Sequence, residues 1–173
     1  VVAGALGDCD ETSSLHSRKN VRVFSSMILV NVTNVVVVAN VEIAVLLKEH
    51  DGDRTLPIFV GVLEANAIAA QLNGEKFPRP LTHDLFKNVL DRLECQLIRA
   101  EIGELVNNTF IGKLILEYKG EVIEIDSRPS DSIAIAVRMK CPIFVAEAVM
   151  DAAAQDVGIV ESEDPEEPNE EQD

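Results

Sequence analysis

Two short polar clusters hold most of the residues in this chain that could do chemistry. One is Arg79-Pro80-Leu81-Thr82-His83-Asp84, and the other is Asp126-Ser127-Arg128-Pro129-Ser130-Asp131-Ser132. An imidazole titrates near neutrality, so His83 is suited to pass a proton as general acid or base. Asp84, Asp126 and Asp131 offer carboxylate oxygens that can act as a base. Glu64, Asp126 and Asp131 are also candidate ligands for a hard divalent cation such as Mg or Mn. Arg79 and Arg128 can clamp phosphate oxygens through paired N–H donors, with Ser130 adding a hydroxyl. These residue types suit proton transfer beside a bound anion.

Both clusters lie where a helix is expected to begin, so backbone N–H groups and the helix dipole favour anions there. Thr82 reads as the N-cap of a helix running to Leu93, with Leu85, Phe86, Val89, Leu90 and Leu93 as its apolar stripe. Ser130 reads as the N-cap of a helix to Lys140, with Pro129 at its entrance. The stretch Ile133–Val137 is apolar on almost every side, so this helix should be buried. Glu64 falls in the first turn of a further helix, Leu63–Leu72, closed by Asn73-Gly74. Dense β-branched residues mark strands at Met27–Val38, Val41–Lys48 and Leu56–Val60. Further strands are expected at Leu97–Leu105, Thr109–Tyr118, Glu121–Ile125 and Pro142–Val145, and a last helix at Glu147–Gln155.

This order contains two related strand–turn–strand–helix units. Leu46–Gly52 aligns with Leu114–Gly120, and Ile58–Leu72 with Ile123–Val137. The expected fold is α+β, an α/β-type mixed sheet with both units packed into one domain over residues 27–158. Residues 1–26 read as a flexible leader or tag, with Met27 a natural start, and residues 159–173 as an acidic disordered tail.

Composition limits the possibilities. Hydrophobic residues make up 47% of the 173, enough for one core, but aromatics are only 4%, so that core must be aliphatic. The eight carboxylates between Glu161 and Asp173 supply just over half of the net charge of −15. The remaining body is modestly acidic, which weighs against non-specific nucleic-acid binding. It also offers few aromatic platforms for single strands. Polar residues interrupt Met27–Leu47, excluding a membrane helix there. Cys9, Cys95 and Cys141 form neither a disulfide framework nor a zinc motif, which fits a cytoplasmic protein. No Walker loop, nucleophile elbow, dinucleotide fingerprint or His-Glu-x-x-His motif is present.

The segments Leu56-Pro57-Ile58, Glu64-Ala65, Arg79-Pro80-Leu81-Thr82-His83-Asp84, Asp126-Ser127-Arg128-Pro129-Ser130-Asp131 and Pro142-Ile143-Phe144-Val145 together resemble the bifunctional nuclease domain family. The resemblance covers about Met27 to Gly158, and the Thr-His-Asp and Arg-Pro-Ser-Asp segments in this order are its specific part. It implies a domain acting on both RNA and DNA, and self-association into a homo-oligomer. A competing reading needs no catalysis. Asp126 and Arg128 can form a salt bridge that locks the turn before a buried helix, Ser130 and Thr82 can be caps, and Asp131 and Glu64 ordinary dipole partners. The same helix entrances would then serve a module that binds a small anion or a protein partner.

Overall fold

The computed structural model describes residues 26–38 and 42–154. The expected leader lies outside them except for Ser26, as do the acidic tail, Val41, Gln155 and Gly158. Seven strands form one mixed sheet: β1 (Met27–Val38), β2 (Glu42–Glu49), β3 (Thr55–Val60), β4 (Gln96–Val106), β5 (Thr109–Tyr118), β6 (Glu121–Ser127) and β7 (Ile143–Ala146). Four helices, α1 (Val62–Leu72), α2 (Thr82–Arg92), α3 (Pro129–Met139) and α4 (Glu147–Ala153), complete the α+β fold.

The sheet order is β3-β2-β1-β7-β4-β5-β6. Only β4 and β7 pair in parallel; every other neighbouring pair is antiparallel. The hairpin β2–β3 leads into α1 on one flank, and the hairpin β5–β6 leads into α3 on the other. β5 and β6 turn on Lys119 and Gly120, both at positive φ (54° and 82°), which suits a two-residue connection between twisted strands. α3 touches β3, β4 and β5, strands from both flanks of the sheet. Ile133, Ala134, Ile135 and Ala136 are accordingly buried.

α3 is seated closely on β5. A Cβ at Gly112 would lie 3.0 Å from the Ser127 carbonyl oxygen and Ser132 Oγ, and 3.1 Å from the Pro129 nitrogen. Glycine therefore lets the start of α3 approach the strand. Ser127 and Ser132 close the same junction with a hydroxyl–hydroxyl hydrogen bond of 2.5 Å.

Three local expectations are corrected. Thr82 is the first helical residue of α2, capped by Leu81, and Ser130 lies inside α3, capped by Arg128. In both cases a residue before the polar side chain takes the extended backbone, and a proline fixes the first turn of α3. The α2 stripe is not a core face: only Leu90 is buried, while Leu85, Phe86, Val89 and Leu93 stay exposed. α2 lies against α3 at the rim of the helical layer, so a single side of it meets the core.

Candidate active site

The two polar clusters, far apart in sequence, meet in space. The first turn of α2 brings His83 Nε2 to 3.4 Å from Asp131 Oδ1 on α3. Arg128 grips Asp131 with two parallel bonds, Nε to Oδ2 at 2.7 Å and Nη2 to Oδ1 at 2.9 Å. Its remaining nitrogen, Nη1, donates to Glu64 Oε1 on α1 at 2.9 Å. The starts of α1 and α3 thus meet on one guanidinium, and that of α2 joins them through Asp131; the Arg128 side chain is 65% exposed and that of His83 15% exposed. Glu64, His83, Arg128 and Asp131 line a cleft of about 710 Å³, with Leu63, Ala67 and Leu81 also in its lining.

Electrostatics follow from these contacts. The Arg128 guanidinium holds the Asp131 carboxyl below its ordinary range; burial opposes this and His83 adds to it. Asp131 is therefore an anion at neutral pH, able to hold the His83 ring in one orientation. Arg128 is in turn held still more firmly protonated, first by its bonds to Asp131 and then by Glu64.

The other predicted residues lie elsewhere or act differently. Asp84 turns away from the cleft. It accepts the Leu81 N–H at 2.9 Å and Arg138 Nε at 2.6 Å. Burial pushes its carboxyl up, but the Arg138 bond, the Leu81 amide and nearby charge together bring it below its ordinary value. Asp126 is exposed on β6, one residue before Ser127, so strand alternation sends the two side chains to opposite faces. Ser127 bonds to α3, which leaves Asp126 on the other side of the sheet from the cluster. Arg79 is exposed in the loop before α2, and Ser130 lines a neighbouring pocket. Among the described residues no group of three or more His, Cys, Asp or Glu side chains is placed to hold a metal ion.

Sequence reasoning missed Arg138. Its side chain is 3% exposed, and it donates to the Ala134 carbonyl at 2.9 Å, to the Ala67 carbonyl at 3.0 Å and to Asp84. It ties α1, α2 and α3 together directly behind His83. The available signal was a lone cation in an otherwise apolar helix, since a buried charge must find partners.

Residues 45–158 match the family model described as the Bifunctional nuclease domain. An uncharacterized protein of Mycobacterium tuberculosis is 46% identical over 105 residues, 61% of this chain and 62% of that protein. Bifunctional nuclease 1 of Oryza sativa subsp. japonica is 35% identical over 106 residues, 59% of this chain and 32% of that protein. Bifunctional nuclease 1 of Arabidopsis thaliana is 31% identical over 106 residues, 59% of this chain and 33% of that protein. The match thus spans about three-fifths of the mycobacterial relative and about a third of the plant relatives.

Proposed function

The chain belongs to the bifunctional nuclease domain family, and from that premise we propose that it hydrolyses phosphodiester bonds of RNA and DNA in the His83–Asp131–Arg128 cleft. The observation carrying this reading is the contact of His83 with Asp131 across α2 and α3, with Arg128 beside them. His83 takes a proton from the attacking water and returns one to the leaving oxygen as the phosphorus–oxygen bond breaks. Asp131 fixes the ring, and Arg128 turns toward the phosphate oxygens as charge builds there.

A resident divalent ion does not fit this donor set. Glu64 and Asp131 already share Arg128, and Asp126 is on the other side of the sheet. Two carboxylates would suffice only for an Mg or Mn ion completed by substrate phosphates and water. Self-association in a reducing cytosol completes the proposal.

A second reading is favoured by one observation: Asp131 and Glu64 already take three of the five N–H donors of Arg128. On that reading the cleft binds an anion or a protein partner without cleaving it. Cleavage of labelled single-stranded RNA and DNA, with Mg, Mn or EDTA, separates the two. The comparison is with a folded His83→Ala/Asp131→Ala double variant. Cleavage should fall at least a hundredfold in the variant. Cleavage persisting there would remove these assignments, and none by either protein would favour the binding module.

A further inference from the structure

The Glu64–Arg128 bridge is a partition between two compartments. On one side is the cleft described above, with Phe77 and Pro80 on its wall. On the other is a pocket of about 350 Å³, lined by Phe59, Phe110, Asn108, Thr109 and Ser130 as well as by Glu64 and Arg128. The chain has only six phenylalanines and one tyrosine, yet three of those phenylalanines line these two spaces. Phe59 is 56% exposed and Phe77 47% exposed. Exposed aromatic rings on either side of one arginine are not explained by packing, because large apolar side chains gain stability by leaving water.

The loop carrying Phe77 is also unusual in charge. Lys76 and Arg79 flank it, all three are exposed, and among the described residues neither cation is paired with a carboxylate. A local strip of cation–aromatic–cation thus adjoins the cleft of an otherwise acidic protein.

We propose that the two compartments hold the two nucleosides flanking one phosphate of a single-stranded nucleic acid. The phosphate lies over Arg128. One base stacks on Phe77, with Lys76 and Arg79 on the adjoining backbone, and the other stacks on Phe59. Base–aromatic stacking tolerates any base because each has a π face. A duplex is disfavoured, since its bases are paired and stacked inside and would have to splay apart to enter both spaces. This rests on the nuclease reading for the position of the phosphate, but it specifies the form of the substrate.

Binding is measured by anisotropy of labelled oligouridylate and oligothymidylate, in EDTA and on the His83→Ala background so that nothing is cut. A duplex of equal length is the comparison. The single strand should bind more tightly than the duplex. Phe59→Ala and Phe77→Ala should each weaken it about tenfold, and together about a hundredfold, as expected for loss of one stack each. Thermal melts should be unchanged, because both rings are already exposed. Tighter binding of the duplex, phenylalanine variants that bind like their parent, or no binding by any form would each overturn the proposal. A phenylalanine-dependent complex that wild-type protein never cleaves would sustain this inference and end the nuclease reading. Cleavage indifferent to both phenylalanines would do the reverse.

Discussion

At the scale of single residues, Asp84 and Asp131 show how neighbouring chemistry assigns unlike roles to like side chains. Asp131 faces the cleft and His83, whereas Asp84 is spent on Arg138 and the start of α2. Losing Asp84 would leave the Arg138 guanidinium buried with only two carbonyls, so Asp84→Ala should cost about 3 kcal/mol. The pH dependence has a definite sign. The folded-state pKa of Asp84 is depressed, so its stabilisation is present above the unfolded value and lost as pH falls through the folded one. Urea unfolding of the wild type and the variant should therefore differ at about pH 7 and by less at about pH 3, with the loss completed only below the folded-state value. An equal gap at both would show that the charge of Asp84 contributes nothing. Cys141 marks another contrast. Burial pushes its thiol up to about 11, so it is an inert, partly buried apolar group rather than a nucleophile.

At the scale of elements, the site depends on where α3 begins. β5, β6 and α3 meet at Gly112, where backbone atoms of Ser127 and Pro129 leave no room for a side chain. Gly112→Ala should push the start of α3 off the sheet and cost about 1–3 kcal/mol, because rigid backbone cannot yield as a side-chain end would. Gly103→Ala on β4 is the control: nothing lies within 4 Å of its added methyl, and its effect should stay within about 0.5 kcal/mol. Denaturant midpoints compare the two directly, and equal midpoints would contradict a tight β5–α3 junction. Since Arg128 caps α3 and Asp131 sits in its first turn, the same shift should also open the contact with His83.

At the scale of the whole molecule, charge and exposed apolar surface need reconciling. A net charge of −15 repels a polyanion, so a strand must be drawn to local features: Arg128, the Lys76–Arg79 loop and the exposed rings beside them. No helix among the described residues is long and apolar enough to cross a membrane. Exposed apolar residues on α2 and the self-association implied by family resemblance point the same way. Sedimentation velocity should therefore show species larger than a monomer; a monomer at every concentration would remove self-association from the proposal.

The element order, the α+β class and the two polar clusters were legible in the sequence because they rest on local patterns. β-branched runs, Gly turns and a nearly all-apolar α3 announce themselves within a few residues. What local pattern did not contain was orientation. That Asp84 turns inward to Arg138, that Asp126 points to the far face, and that the α2 stripe stays exposed each depends on partners distant in sequence. The sequence by itself determined which groups were available. Only the tertiary structure decided which of them share a cleft, because a contact between His83 and Asp131 is set by how α2 and α3 pack around a buried arginine.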